Sequence, residues 1–249
     1  MTSPTAGLLL IGDEILSGRT KDKNLGYIAD FLTALGIDLK EARVVADIEE
    51  DIAAAVNALR ARYTYVFTTG GIGPTHDDIT ADAVAKAFGV EINHDPRAVA
   101  ILEAHYAPGM LNEARMRMAR IPVGAALIEN PVSKAPGFRL GNVFVMAGVP
   151  KIMQAMLDSL APQLERGAPM LSATVTAYIG EGDLAKPLKE IQERHPQVVI
   201  GSYPFEDQGK YGSNLVLRSR DPARLSAATR EVEEMTQALK SGGTVKVWS

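Results

Sequence analysis

Residues 68–80 read Thr-Thr-Gly-Gly-Ile-Gly-Pro-Thr-His-Asp-Asp-Ile-Thr and couple a glycine turn to two adjacent carboxylates. Gly70, Gly71 and Gly73 allow backbone conformations and close approaches that other residues resist. The apolar run ending at Val66-Phe67 reads as a strand, and Ala81 to Phe88 as a helix. Main-chain N–H groups left unpaired at a helix start attract anions, so Thr69, the three glycines, Pro74 and Thr75 outline a phosphate cradle. Asp77 and Asp78 would repel a bare phosphate, and their presence calls for a divalent cation between them and it. Phosphate plus metal is the chemistry implied. A plain turn with Asp78 or Thr80 as helix cap needs one carboxylate and one glycine, fewer than stand here.

Such a site needs elements that bring several loops together. Gly7 to Ile11 is a continuous apolar run, suited to a strand buried on both faces, and it opens onto Gly12-Asp13-Glu14. Leu25, Ile28, Phe31, Leu32 and Leu35 recur at helical spacing, with Gly36 as the stop. Ala42 to Ala46 reads as a strand, Ile52, Val56 and Leu59 as a helix face, and Tyr63 to Thr69 as a third strand. This β-α-β-α-β-α order predicts an α/β fold with a mainly parallel sheet and helices on both faces, its ligands gathering beyond the carboxyl ends of the strands.

Acidic residues fall at three such ends: Asp13 and Glu14, Asp47, and Asp77 with Asp78. Each alone reads as a solvated loop acid. Together, on neighbouring strands, they would converge and suit a hard cation such as magnesium, manganese or cobalt. The predicted metal ligands are Asp13, Glu14, Asp47 and Asp78. Gly12 and Gly18 read as turn residues, Gly12 also counted with the phosphate-binding set, and His76 as a solvent-facing loop residue, since no second histidine stands at ligand spacing.

Asp95 to Arg120 reads as a helical region whose Met110, Met116 and Met118 are core filler or a mobile cover rather than a cofactor box. Asn130 to Phe138, with two prolines and a glycine, is expected to be irregular throughout. Lys134 within it is either a surface lysine or a cation that reaches a phosphate. Asn142 to Ala147 reads as another buried strand, followed by a helix facing inward through Ile152, Met153, Met156, Leu157 and Leu160.

Composition shifts near residues 161–169, which predicts a larger unit over 1–168 and a smaller one over 169–249. The second reads β-α-β-β-α: a strand at Leu171 to Ile179, a helix at Leu184 to Ile191, strands at Val198 to Ser202 and Asn214 to Arg218, and a long helix from Pro222 to Leu239. From Met170 onward Lys plus Arg number ten and Asp plus Glu ten, a balance without the electrostatic footprint of a nucleic-acid binder. Tyr203-Pro204 could close over a nucleotide or stack within its own core. The whole chain of 249 residues carries a formal net charge of -4 and no cysteine, which argues against polyanion partners and excludes disulfides and thiolate sites. The first apolar run is too short for a signal peptide or membrane span, and a cytoplasmic location without membrane partners is the expectation.

The segments Ile11 to Gly18, Asp22 with Asn24, Val44 to Asp47, Thr69 to Thr80, Ala135 to Phe138 and Gly148-Val149-Pro150 resemble, in order, the N-terminal region of competence/damage-inducible protein A (CinA), within the MoaB/Mog molybdopterin-binding superfamily. The later part, with Gly180 to Asp183 and Gly201 to Pro204, is similar to the KH-type-like domain that follows in these proteins. The resemblance implies a three-layer α/β/α fold and a metal-dependent pyrophosphatase acting on ADP-ribose, FAD or a similar dinucleotide. It places Asp47 and Asp78 at positions that assist metal binding and adenylyl transfer in the molybdopterin adenylyltransferases. It also puts Pro136 and Gly137 on the nucleotide side. Ser133-Lys134 departs from the small pair common in relatives. The nicotinamide mononucleotide deamidase domain of full-length CinA is expected to be absent, and a homo-oligomer is expected.

The glycine cradle, the strand-end acids and the resemblance together predict phosphoanhydride hydrolysis of a small nucleotide substrate. Glycine-loop amides and Thr75 would hold the diphosphate, the carboxylates a cation, Asp47, Asp77 or Asp78 the catalytic proton or metal, and Lys134 the leaving phosphate. Adenylyl transfer to a molybdopterin-type ligand is the same attack with phosphate in place of water. A module that binds pterin or nucleotide without turnover would have no reason to tolerate the repulsion between Asp77 and Asp78.

Overall fold

The computed structural model describes residues 3–242. They divide into a unit ending at Gly167 and a second beginning at Ala168.

In the first unit the chain runs through β1 (Thr5–Ile11), α1 (Asp13–Leu16), α2 (Asn24–Ala34), β2 (Asp38–Val45), α3 (Glu49–Arg60), β3 (Tyr65–Thr69) and α4 (Thr80–Phe88). It continues through β4 (Ile92–His94), α5 (Pro96–His105), α6 (Glu113–Met116), β5 (Arg120–Pro122), β6 (Ala126–Ile128), β7 (Gly137–Leu140), β8 (Val143–Met146) and α7 (Pro150–Leu160). The main sheet has the order β2-β1-β3-β8-β7-β6, and β2, β1, β3 and β8 are mutually parallel while β7 runs against both its neighbours.

The apolar run of β1 becomes a central strand because alternate side chains serve opposite faces. Leu9 and Ile11 join Val66 and Val145 under α3 and α4, whose Ile52, Val56, Leu59 and Val84 are fully buried. Leu8 and Leu10 join Phe67 and Phe144 on the other face, covered by Ile28 and Leu32 of α2 and by Met153, Met156, Leu157 and Leu160 of α7. Phe67 and Phe144 stack with centroids 5.2 Å apart. The predicted three-layer, mainly parallel fold is therefore present, and it sets the carboxyl ends of β1, β2, β3 and β8 along one rim.

Two stretches differ from expectation. Gly137 and Phe138 lie in a strand rather than an irregular loop, because β7 pairs with both β6 and β8. A Cβ on Gly137 would collide with the Val145 carbonyl and the Met156 methyl, so this glycine serves a close approach of backbone within the sheet. The helical region is interrupted between His105 and Glu113, and β4 and β5 form a two-stranded antiparallel ribbon on either side of it. Met118 packs against the first core, whereas Met110 is exposed.

In the second unit β9 (Leu171–Ala177), α8 (Glu181–Arg194), β10 (Val199–Asp207), β11 (Lys210–Ser219) and α9 (Pro222–Gly242) follow the expected β-α-β-β-α order. The sheet is antiparallel, in the order β10-β11-β9. Helices α8 and α9 cover one face through Leu184, Leu188, Ile191, Leu225, Ala228 and Val232, packed on Ala177, Leu215 and Leu217. Among the described residues no helix is long and apolar enough to cross a membrane.

Candidate active site

Three glycines and three backbone carbonyls fix the rim. The chain leaves β3 at Gly70, which has φ of +109°, and its Cα lies so close to β1 that a Cβ would collide with the Ile11 carbonyl. Gly148, after β8, approaches Gly70 from the other side, and a Cβ there would stand 3.2 Å from the Gly70 Cα. The Gly70 N–H donates to the Met146 carbonyl at 3.2 Å, and Gly12 N–H donates to Val45 at 3.1 Å. Three loops are thus locked side by side by main-chain contacts alone.

The glycine turn is held from the helix below it. Thr80 is fully buried, and its hydroxyl donates to the Gly70 carbonyl at 2.9 Å while its N–H donates to the Gly71 carbonyl at 3.0 Å. Neither Thr80 nor Asp78 caps α4. Asp78 instead turns back on the loop, where one carboxylate oxygen accepts from the Thr75 N–H at 2.8 Å and from the Thr75 hydroxyl at 2.5 Å. That oxygen lies against Gly73, at 2.6 Å from where a Cβ would be. Among the described residues the N–H groups of Gly71, Ile72 and Gly73 donate to no protein acceptor. The turn therefore presents unpaired donors, as an anion cradle must. Exchanging Thr80 for valine removes the bond to a buried carbonyl and is expected to lower the unfolding free energy by about 1–3 kcal/mol, measurable as a lower midpoint in urea.

The acids gather at the neighbouring loops. An Asp47 carboxylate oxygen accepts from the Asp13 N–H at 3.0 Å, which fixes the loop after β2 against the loop after β1. Burial pushes the Asp47 carboxyl up from the usual carboxylate range, the Asp13 N–H opposes this, and the negative charges of Asp13, Glu14 and Asp77 push it up further. The Glu14 carboxylate lies against Gly12. Asp77 is held below the usual range, first by the nearby Thr75 hydroxyl and then by its own main-chain N–H. Asp13, Glu14 and Asp47 have no salt bridge among the described residues, and Asp77 has only the exposed His76 ring, 3.9 Å away. Four carboxylates share this end of the sheet without a lysine or arginine to neutralise them.

The charges of Asp13, Glu14 and Asp77 thus all reach Asp47 across the rim, and Asp78 is spent on the loop itself. Lys134 is exposed with φ of +64°, and no hydrogen bond or ion pair ties its side chain to the rim. Pro136 and Gly137 are buried beside β8, and the packing already described accounts for Gly137. Thr69 is buried at the end of β3. Asn24 enters the resemblance only as a matched position, yet the structure gives it a task. Only 5% exposed, it donates from Nδ2 to the Gly148 carbonyl at 2.8 Å, and its Oδ1 is buried without a partner. Asp22 is the one local signal, since its carboxylate accepts from the Asn24 and Leu25 N–H groups and so starts α2.

Among the described residues no three Asp, Glu or His side chains are grouped closely enough to hold a metal ion. The predicted ligand set Asp13, Glu14, Asp47 and Asp78 is therefore not a formed metal centre, because Asp78 faces Thr75 and Asp47 is tied to the Asp13 N–H. The donor chemistry does suit magnesium-like ions that take one or two carboxylates from the protein and the rest of their shell from water and substrate phosphate. Behind the glycine turn, a cavity of about 20 Å³ near Arg117 and Phe138 has room for little more than one water.

Residues 7–166 match the family model described as a probable molybdopterin binding domain. The chain belongs to this family. Residues 169–242 match the middle domain of FAD synthase. A protein of Aeropyrum pernix is 36% identical over 248 residues, spanning 95% of this chain and 91% of that one. A CinA-like protein of Citrifermentans bemidjiense is 43% identical over 164 residues, 63% of this chain and 40% of its own length. The crystal structure of the protein CinA, of unknown function, from Thermoplasma acidophilum is 35% identical and superposes with a TM-score of 0.62, covering 65% of this chain and 98% of that one. The first unit is thus a CinA-type member of the molybdopterin-binding-domain family, with its fold.

Proposed function

We propose that the chain hydrolyses the phosphoanhydride of a dinucleotide-type substrate such as ADP-ribose or FAD, assisted by a divalent cation. The observation that supports this reading is that the loops after β1, β2 and β3 leave one rim, with unneutralised acids whose charges reach Asp47 on two of them and the unpaired N–H groups of Gly71 to Gly73 on the third. Amides of that kind bind the diphosphate, and acids of that kind require a cation beside it. Asp47, anchored by the Asp13 N–H, with Asp13 or Glu14 would hold the cation. When bound, such an ion offsets charge on phosphoryl oxygens and acidifies a bound water.

The chain's own residues supply the rest. The glycine amides fix the diphosphate oxygens, and Thr75 is kept in place by Asp78. Water oxygen bonds to phosphorus as the bridging P–O bond breaks, and Asp77 accepts the proton that water loses. Lys134, free of any ion pair among the described residues, takes the negative charge of the departing phosphate. Cytoplasmic metabolites are the substrates this chemistry addresses.

The match to a molybdopterin-binding family favours a second reading, adenylyl transfer onto a pterin phosphate. ADP-ribose, FAD, NAD and ATP, each incubated with magnesium, manganese or cobalt, separate the two. Hydrolysis without pterin, lost in Asp78→Ala by about tenfold or more as the Thr75 loop loosens, supports the proposal. Turnover of none of these substrates with any of these metals would remove it.

A further inference from the structure

The second unit carries a surface that the rim chemistry does not use. Its sheet is covered by α8 and α9 on one face only. The strand register sets Val199, Gly201 and Tyr203 of β10 beside Arg218, Val216 and Asn214 of β11, and these beside Ser172, Thr174 and Thr176 of β9. Ser172, Thr174, Tyr203, Asn214, Val216 and Arg218 line one shallow, solvent-open depression there.

Its shape comes from two glycines. The Tyr203 ring lies across Gly201, with its edge 2.9 Å from where a Cβ would stand, and it remains 49% exposed. Phe205 lies across Gly212 in the same way and meets Tyr178 edge to face at 5.5 Å. Glycine weakens a strand interior, and where it persists it marks a place that something must approach closely. Here a ring is supported from the sheet side and left open outward.

Charge completes the pattern. The Arg218 guanidinium has the Tyr203 hydroxyl at 3.5 Å and no carboxylate partner among the described residues. The depression, with no other charged residue in its lining, thus offers one half-exposed aromatic ring, one unneutralised cation beside it, and hydroxyl and amide groups from Ser172, Thr174 and Asn214. A ligand complementary to that set has a flat heterocycle, one anionic end and several hydroxyls. We infer that the open face of the small sheet is a binding site for a single nucleotide, with Tyr203 stacking on the base and Arg218 taking the phosphate.

One ring holds one base, and the balanced charge of this unit lacks the basic stripe that a longer strand would need. The inference stands apart from the hydrolytic rim, and the test keeps them separate. Nuclear magnetic resonance of the full chain with AMP should move the amides of Gly201, Asn214 and Val216 saturably, and should do so equally in Asp47→Asn. Tyr203→Ala should weaken AMP about tenfold, whereas Tyr203→Phe keeps the stack and stays within about threefold. Arg218→Gln should weaken AMP and leave adenosine unchanged, and ribose 5-phosphate should bind far more weakly than AMP.

Three results would overturn the site. The first is that AMP leaves these amides unmoved or binds Tyr203→Ala as well as the natural protein. The second is tighter, Tyr203-dependent binding of a single-stranded oligonucleotide than of AMP, which makes the face an RNA surface. The third is dissociation of a dimer by Tyr203→Ala with no change in AMP affinity, which makes it a contact between copies of the chain.

Discussion

Asp47→Asn is expected to lower ADP-ribose hydrolysis by about a hundredfold or more while leaving the protein folded and slightly more stable. The amide keeps an oxygen to accept the Asp13 N–H, so the loop after β2 stays in place. What disappears is the negative charge needed to hold a cation beside the diphosphate, an electrostatic contribution of the size seen when a single stabilising group is removed from a transition state. The stability change has the opposite sign and a definite pH dependence. The folded-state pKa of Asp47 is raised by burial and then by Asp13, Glu14 and Asp77. The folded protein therefore holds this proton more tightly than the unfolded chain, and the carboxylate costs stability as pH rises through the folded pKa. Below the unfolded carboxylate range that cost is absent. The variant should accordingly melt higher than the natural protein at neutral pH and no higher in acid. Solvent screening of this partly exposed group limits the gain to roughly half a kcal/mol, or about 1–2 °C. Paired melting curves at neutral and acid pH, beside the hydrolysis assay, check both halves. A variant that loses activity together with melting temperature would show that Asp47 only braces the loop.

The second large effect concerns the backbone. Gly70→Ala is expected to destabilise the first unit by about 4 kcal/mol or more, enough to leave little folded protein at 37 °C. Gly70 sits at φ of +109°, where an L side chain is strained, and the added methyl would strike the Ile11 carbonyl of the neighbouring strand. No side chain can move aside to relieve a clash with main chain at the end of a central strand. Gly18→Ala serves as the control. Gly18 also has positive φ, at +72°, but the nearest atom to its added methyl is the Lys21 amine at 3.9 Å, so only the backbone cost of about 1 kcal/mol remains. Comparing urea midpoints of the two variants separates the collision from the dihedral strain. Equal losses would mean that the approach of β1 to β3 is looser than the contact at Ile11 implies.

Much of the fold is legible in sequence because hydrophobic periodicity is local. The run Leu8 to Ile11 is apolar at every position, and such a strand has to be covered on both faces, which leads to helices above and below. Ile52, Val56 and Leu59 declare a helix face in the same way, and the glycine loop with Asp77 and Asp78 stands out by composition alone. The small unit's β-α-β-β-α order is equally readable, since its strands alternate and its helices carry an apolar stripe.

Tertiary structure decided what the same residues do. Asp77 and Asp78 are adjacent in the chain, yet Asp78 turns back to accept from the Thr75 N–H and hydroxyl while the charge of Asp77 also reaches Asp47, because turn geometry and not residue type aims a carboxylate. Gly137 reads as a loop residue until β8 supplies the Val145 carbonyl that forbids it a side chain. Asn24 gains its role from Gly148, 124 residues away, and Tyr203 lies on the open face of its sheet and not in its core. Strand and helix order, the layering and the kinds of chemical group at the rim are readable along the chain, since each depends on composition and spacing over a few residues. Which groups meet, which are consumed in holding loops, and which remain for a ligand depended on contacts between distant segments, and only the folded chain brings those together.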